Sequence, residues 1–441
     1  MEHLGINVNV KNVPELDAGY IPLHKFNAAF LEGAEKPLGI AVERAGGEVA
    51  VMRTFIHGTP EFEAADSYYA DRMVKSMLWL YGGWKVYISG DRDIYERIRA
   101  AYAPDGSRAF DEDFMSGVYE RPFEVVFCDE LPAEKSNPQA IGRHLGGCRI
   151  GFDAGGSDRK VSAVIDGESV FSEEVVWFPK TTADPDYHFQ GIVDAFKSAA
   201  AHMPRVDAIG VSSAGIYIEN RAMVASLFLR CRRTSLTDRS RTSTSAPPRR
   251  LGDVPLVVAN DGDVTALAGA MSLDDNNVLG IAMGTSEAVG YVDKNGCVTG
   301  WLNELAFMPV DANPEAMADE WSGDIGCGVK YFSQDGVIKL APRAGIQLDE
   351  ASLSPPRSSR SCRACMEQGR ARRAREGLSQ HRRLPRPRPR ALLRQFLRVQ
   401  ARAAARPRHV RQGRRPRALH LQGRPRGRVP RDRGRHLPLP A

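Results

Sequence analysis

Residues 149–178 read RIGFDAGGSDRKVSAVIDGESVFSEEVVWF, and this stretch predicts three consecutive β-strands. The first apolar segment ends at Asp153, and Gly155 and Gly156 follow it, where glycine tolerates the backbone angles that a tight turn needs. Apolar and polar residues alternate through the next two segments, which is the period of a half-buried strand. We therefore expect a strand, a glycine turn and two further strands.

Beyond this stretch, helical and strand patterns alternate along the chain. The predicted elements are, in order, a helix (188–203), a strand (206–213), a turn (214–220), a strand (254–261), a helix (262–273) and two or three strands (276–302). Strands that alternate with helices indicate an α/β layered fold.

The residues before this stretch have the pattern of a smaller α/β unit. Residues 37–58 predict a hairpin around Ala45-Gly46-Gly47, residues 65–83 predict a helix that ends at a glycine pair, and a strand and a helix follow. We predict four regions: an N-terminal α/β domain of unknown role (1–147), a first lobe (148–258), the start of a second lobe (259–350) and a tail (351–441).

The formal charge of +6 conceals two regions of opposite sign. Residues 351–441 contain 27 arginines, no lysine and three acidic residues, whereas the first 350 residues contain 33 basic and 51 acidic residues. A basic arm can bind nucleic acid through counterion release, so a nucleic-acid binder is one interpretation of the tail. The absence of Lys, Tyr and Trp favours another, in which a frameshift translates GC-rich codons into Arg and Pro and the tail is disordered. Residues 231–250 have the same composition, and we interpret them as a second out-of-frame segment.

Several classes of protein are disfavoured by the sequence. No run approaches the roughly 18 apolar residues of a membrane span, and the N-terminus MEHLGINVNV does not resemble a signal peptide, so we expect a cytoplasmic protein without a membrane partner. Cys362 and Cys365 have no second pair and no histidine at zinc spacing, so we expect no zinc. Four other cysteines are isolated in the sequence, as is typical of core thiols: Cys128, Cys148, Cys297 and Cys327.

Two glycine turns could bind phosphate. In GFDAGGSDRK, at 151–160, the glycines would bring backbone N–H groups close to a phosphate, and Asp153 could hold magnesium. In MGTSEAV, at 283–289, Gly284, Thr285 and Ser286 form a second bend with hydroxyls and amides. A hairpin that binds no ligand has the same pattern in both cases, so both interpretations stay open.

A third candidate is VVANDGD, at 257–263, where a predicted strand ends in Asn260 and Asp261. Open α/β sheets bind ligands beyond the carboxyl ends of their strands, and a carboxylate there could accept a proton from a substrate hydroxyl. The alternative is an Asx turn that caps the next helix, which suits Asp263 better than Asp261.

The order of these three motifs resembles that of the sugar kinases of the actin-like ATPase superfamily, over residues 149–345. Within it the pattern is similar to the ROK (repressor, open reading frame, kinase) group, with some likeness to N-acetylglucosamine kinases and BadF/BadG-type ATPases. The resemblance implies a two-lobe, ribonuclease H-like α/β fold. It also implies ATP-dependent phosphorylation of a hydroxyl on a hexose or amino sugar, with ATP and Mg²⁺ as cofactors.

The resemblance also assigns roles to individual residues. Asp261 would be the general base, and Asp153 would hold Mg²⁺, directly or through water. The remaining assignments are phosphate contacts by Gly155, Gly156, Ser157, Lys160, Gly284, Thr285 and Ser286, and sugar contacts by Asn260, Ser213 and Glu304.

The sequence departs from the ROK pattern in several places. Phe307 stands where these kinases usually have His, and Glu287 stands where a glycine-rich continuation is usual. The tail replaces the segment that would complete the second lobe, so we expect kinase activity to be impaired in this chain. A non-catalytic, sugar-binding regulator on the same fold is the alternative. In either case we expect a small-molecule sugar as the partner and no nucleic acid, and a homodimer stays open.

Overall fold

The computed structural model describes residues 1–228, 230–231, 254–284 and 286–347. The predictions for the two suspected out-of-frame segments therefore lie outside the described residues, apart from Cys231. The strands are β1 (Glu2–His3), β2 (Ile6–Asn7), β3 (Lys36–Glu43), β4 (Val49–Ile56), β5 (Lys85–Ser89), β6 (Glu124–Phe127), β7 (Cys148–Ala154), β8 (Asp158–Ile165), β9 (Glu168–Val176), β10 (Ala208–Ser213), β11 (Ile216–Ile218), β12 (Arg221–Val224), β13 (Leu256–Asn260), β14 (Val278–Met283) and β15 (Glu287–Val292). The helices are α1 (Leu23–Phe30), α2 (Glu63–Tyr81), α3 (Arg92–Ala101), α4 (Ala109–Tyr119), α5 (Pro185–Ala200), α6 (Asp261–Leu273), α7 (Val329–Phe332) and α8 (Gln334–Leu340).

The N-terminal residues form a four-stranded sheet in the order β4-β3-β5-β6. The predicted hairpin is confirmed: β3 and β4 pair antiparallel, and Gly46 and Gly47 between them have φ angles of 69° and 66°, which favour glycine. The predicted helix is confirmed as α2, which ends where Gly82 adopts φ 81° and its N–H donates to Leu78 O.

The core of this sheet includes residues from far along the chain. Phe26, Trp79 and Val86 share one hydrophobic cluster with Leu305 and Phe332. The segment that follows β15 thus packs against the N-terminal sheet, because its apolar side chains have no sheet of their own to cover among the described residues.

A largely buried ionic network also joins these two parts of the chain. It consists of three cations and three carboxylates: Arg72, Lys75 and Arg108 with Asp71, Asp111 and Asp324. Asp324 lies in the late segment, and its carboxylate contacts all three cations, which come from α2 and from the turn before α4. Since buried charges require partners, this network orients the late segment on α2.

The stretch 149–178 forms the middle of a five-stranded sheet in the order β13-β10-β7-β8-β9. Strands β7, β8 and β9 are an antiparallel meander, whereas β10 pairs parallel to β7 and β13 parallel to β10. This is the strand order of a ribonuclease H-like lobe, and α5 packs on the sheet through Ile192 and Phe196. The predicted α/β, ribonuclease H-like fold is confirmed for this lobe.

The residues after β13 form α6 and the β14–β15 hairpin, which pack closely together. A Cβ added to Gly262 in α6 would lie 2.6 Å from Val289 C, and Gly290 in β15 would clash with the helix backbone in the same way. The glycines therefore allow the helix backbone to touch the hairpin backbone, which holds the start of α6 in place.

One prediction of secondary structure was wrong in detail. The segment 214–220, predicted as a turn, contains β11, which pairs with β12 in a short hairpin. The prediction of two or three strands over 276–302 is confirmed with two, β14 and β15, and Val298 makes only isolated bridges to Gln139 and Val292. Among the described residues, no helix has the length and apolar character needed to cross a bilayer.

Candidate active site

The carboxyl ends of the three parallel strands carry several of the predicted site residues. Ala154 of β7, Ser213 of β10 and Asn260 of β13 are aligned across the sheet. Asp153 lies one row before them and Asp261 one residue after them. The sheet thus brings three distant motifs to one edge, which is where open α/β sheets bind ligands.

The first glycine turn, residues 155–157, joins β7 to β8 at this edge. A Cβ on Gly155 would lie 2.6 Å from Asp158 O, so only glycine fits this reversal. Trp177 Nε1 donates to Gly155 O at 2.7 Å and holds the turn from one side. Ser157 is exposed, as a residue that meets a soluble ligand would be.

Two lysines lie at this turn, and only one of them was predicted. Lys160 donates to Asp158 Oδ1 at 2.9 Å, and this hydrogen bond is the main cause of the raised pKa of Lys160. Lys180 lies across the turn, because a Cβ on Gly156 would be 2.8 Å from Lys180 Nζ. Among the described residues Lys180 has no ion-pair partner. The sequence does not indicate that Lys180 lies here, because the position of Lys180 depends on how β9 pairs and brings the chain back to the first glycine turn.

Asn260 is the N-cap of α6. Its Oδ1 accepts a hydrogen bond from Gly262 N at 2.7 Å, and its Nδ2 donates to Gly215 O at 2.7 Å. The alternative in which Asp263, rather than Asp261, caps the helix was therefore wrong, because the helix begins at Asp261 and Asn260 is its N-cap. Both polar groups of Asn260 are used within the protein, and this fixes the start of the helix.

Asp261 is the first residue of α6 and is half-buried at the edge of the sheet. Burial raises the pKa of Asp261, a hydrogen bond from Gly262 N–H opposes this, and the charge of Asp153 raises the pKa further. A carboxylate at a helix N-terminus is also stabilised by the helix dipole. This arrangement can accept a proton from a group bound at the edge.

Asp261 is one of four carboxyl groups with raised pKa values in this part of the protein, which we call the acidic cluster: Asp261, Asp263, Glu287 and Glu304. Burial raises the pKa of Asp263 to about 7, although Asn303 Nδ2 donates to its Oδ1 at 3.1 Å. Burial, together with Asp261 and Asp263, raises the pKa of Glu304 to about 7. Burial and then Glu304 raise the pKa of Glu287 to about 8.

Sequence reasoning found half of this cluster. The sequence predicts Asp261 as the base and Glu304 as a sugar contact, whereas it favours a capping role for Asp263 and marks Glu287 only as a departure from the ROK pattern. The presence of an acidic residue in the sequence does not by itself indicate that its side chain is buried in a cluster. The informative signal was the position of Glu287, a charged residue at the start of an otherwise apolar strand.

The second glycine turn joins β14 to β15. Gly284 N donates to Ser286 O at 2.9 Å, and Gly284 O accepts from Gln334 N at the first residue of α8, also at 2.9 Å. Gly284 and Ser286 are exposed. Thr285, a predicted phosphate contact, lies outside the described residues.

The side chain of Ser213, a predicted sugar contact, points into the lobe and not toward solvent. It is buried, and its Oγ accepts a hydrogen bond from Tyr217 OH at 2.8 Å. The side chain thus already has a partner within the lobe, which suits a role in holding the end of β10.

Metal ligands were also among the predictions. Within the described ranges, no group of three or more His, Cys, Asp or Glu side chains is placed to hold a metal ion. Magnesium bound with nucleotide needs only one or two protein carboxylates, because phosphates and water supply the rest, and Asp153 meets that requirement. Cys327 is buried, and burial raises the pKa of its thiol to about 12.

Comparison with known proteins gave matches among solved structures. No family model and no curated protein matches the chain. A ROK family transcriptional regulator, described as a homologue of the E. coli MLC protein, matches with a TM-score of 0.39 and 18% identity over 53% of this chain and 60% of its own. A ROK hexokinase from Thermus thermophilus matches with a TM-score of 0.37 and 16% identity over 47% and 67%. A glucokinase from Parabacteroides distasonis matches with a TM-score of 0.36 and 15% identity over 53% and 68%.

The chain is thus similar to ROK proteins and a glucokinase of known structure over about half of its length. It spans 60% of the length of the regulator.

Proposed function

We infer that the protein is an ATP-dependent sugar kinase of the ROK type, with Asp261 as the general base. The observation that carries this proposal is the position of Asp261, half-buried just after β13, at the same edge of the sheet as Asp153 and the first glycine turn, with β10 between them. Transfer of a phosphoryl group to a hydroxyl needs a base on one side and charge screening on the other, and this edge offers both.

The two glycine turns would contact the phosphates of ATP. Exposed Ser157 and Ser286 offer hydroxyls, and Lys180 offers an ammonium group without an ion pair among the described residues. Asp153 would hold Mg²⁺ directly or through water, and the ion would screen the charge of the triphosphate when bound.

Asp261 would take the proton of the acceptor hydroxyl. Its raised pKa makes the carboxylate a stronger base than an exposed aspartate, while the start of α6 keeps it ionised. Because Asn260 Oδ1 caps that helix and Asn260 Nδ2 donates to Gly215 O, the role that we propose for Asn260 is positioning of Asp261 and not sugar contact.

The test is an Asp261→Asn variant, with Asp275→Asn as a matched control. Asp275 is exposed just beyond the other end of α6. We expect Asp261→Asn to lower sugar-dependent ATP consumption by about 10²- to 10⁴-fold, because a positioned base contributes that much, while the dissociation constant for sugar changes little. Asp275→Asn should behave as the wild type. Retention of wild-type turnover by Asp261→Asn would rule out this base.

A second candidate is a sugar-binding regulator without kinase activity. It is favoured by Glu287, whose carboxyl group follows the second glycine turn directly and, when ionised, would repel a phosphate there. The two candidates differ in ATP consumption: the regulator would bind sugar and leave ATP intact with every hexose tested.

A further inference from the structure

Three buried oxygens on two side chains, Glu287 and Asn303, lack hydrogen-bond donors within the described residues. Glu287 is 4% exposed, and neither of its carboxyl oxygens has a hydrogen-bond partner within the described residues. Asn303 is 5% exposed, and its Oδ1 also lacks a partner there. Buried polar atoms are nearly always paired, so these unpaired acceptors indicate that a donor from outside the described residues belongs here.

The two side chains belong to one place. Asn303 uses its Nδ2 to donate to Asp263, so its Oδ1 lies beside the acidic cluster. Glu287 begins β15, whose backbone at Val289 lies against Gly262 at the start of α6, and the charge of Glu304 adds to the raised pKa of Glu287. A group that bonded these oxygens would therefore lie within the acidic cluster to which the proposed base Asp261 belongs.

The charge of the acidic cluster is also uncompensated. None of its four carboxyl groups forms an ion pair with a described residue, and Lys160 at the nearby turn is bonded to Asp158 instead. Buried carboxylates without a counter-charge are costly, and either a proton or a cation can remove that cost. The raised pKa values of Asp263, Glu287 and Glu304 favour protons in this role when no cation is bound.

We propose that Glu287, Asn303 and Glu304 bind the protonated primary amine of the substrate, which makes the substrate an unacylated amino sugar and not a neutral hexose. This proposal rests on the proposed function. An ammonium group has three donors and one positive charge, so it can bond all three unpaired oxygens and also supply a counter-charge to one carboxylate of the cluster. A hydroxyl offers one donor and no charge, and an acetylated amine offers one N–H and no charge.

The experiment compares the binding of three sugars to the full chain by calorimetry: glucosamine, glucose and N-acetylglucosamine, at the same pH and salt concentration. We expect glucosamine to bind at least about 10-fold more tightly than the other two, because only it supplies the buried counter-charge. Glu287→Gln keeps the size of the side chain but removes the charge, and it should reduce the preference to within about 3-fold. Glu168→Gln, at the exposed start of β9, is the control and should keep the full preference.

The outcomes separate this proposal from the proposed function. Equal binding and turnover of glucose and glucosamine would overturn the amine site and leave the kinase in place. A full preference retained by a folded Glu287→Gln variant would also overturn it. Binding of no sugar, with no consumption of ATP, would overturn both proposals. If Glu287→Gln does not fold, the preference of the wild-type chain decides by itself.

Discussion

Replacing Asp324 by asparagine should destabilise the protein strongly, because Asp324 is the carboxylate shared by three buried cations. Its carboxylate lies 2.9 Å from Arg72 Nη1, 3.0 Å from Arg108 Nη1 and 3.3 Å from Lys75 Nζ. All four side chains are less than 10% exposed, so water cannot solvate the cations once the charge of Asp324 is removed. Asparagine is nearly the same size and leaves the packing intact.

The magnitude follows from the charge balance of the ionic network. In the variant the three cations share only Asp71 and Asp111, which leaves one buried positive charge without compensation. Loss of one partner from a buried ion pair costs about 3 to 5 kcal/mol. That is a large part of the roughly 5 to 15 kcal/mol by which a folded domain is stable. The effect should persist in high salt, because buried pairs are little screened.

Urea denaturation followed by circular dichroism measures this change. With a denaturant slope of about 3 kcal/mol per molar, the midpoint should fall by about 1 to 2 M. The control is Glu96→Gln, which removes the exposed pair with Arg99 and should change the stability by no more than about 0.5 kcal/mol. A midpoint for Asp324→Asn that matches the control would show that the network does not bear on stability.

Three further predictions concern the site. Gly155→Ala should lower stability by about 1 to 3 kcal/mol, because the added Cβ meets Asp158 O, and an unchanged melting temperature would contradict this geometry. Lys180→Ala should raise the KM for ATP by about 10-fold, whereas Lys160→Ala, whose ammonium group is already bonded to Asp158, should change it little; equal effects would show that the two lysines do not differ. Folding raises the pKa of Glu287 from 4.5 to about 8. Between these two pH values the folded protein therefore keeps a proton on Glu287 that the unfolded chain has lost. The contribution of Glu287 to stability should therefore fall by up to about 1.4 kcal/mol per pH unit as the pH rises between these values. In urea titrations from pH 5 to 8, Glu287→Gln should reduce the slope by this amount and leave the part due to Asp263 and Glu304, whose pKa values are also raised.

Much of the fold followed from local sequence patterns. The meander over 149–178 and the hairpin around Gly46 are each specified by side-chain alternation and by glycines at turns, which act within a few residues. The hairpin that begins in segment 214–220 was not predicted, because β11 and β12 are too short to show the two-residue alternation of a strand.

The site was predicted less completely than the fold. The motifs around Asp153, Asp261 and Gly284 stand out by their position at strand ends, and parallel pairing brings the first two to one edge. Lys180 and Glu287 have no comparable local signal, because each matters only through a neighbour that is distant in sequence. Asn260 was assigned to sugar, but its hydrogen bonds are made to the chain itself, one of them to a segment 45 residues away.

The sequence by itself determined the order of the secondary-structure elements, the three polar motifs and the resemblance that they carry, because these depend on spacing along the chain. Only the tertiary structure decided which charges are buried together. Desolvation acts on a side chain according to everything packed around it, so the raised pKa values of the acidic cluster arise from several segments at once. The same reason explains why Asp324 and the cations of α2, about 250 residues apart, could be recognised as one network only after folding.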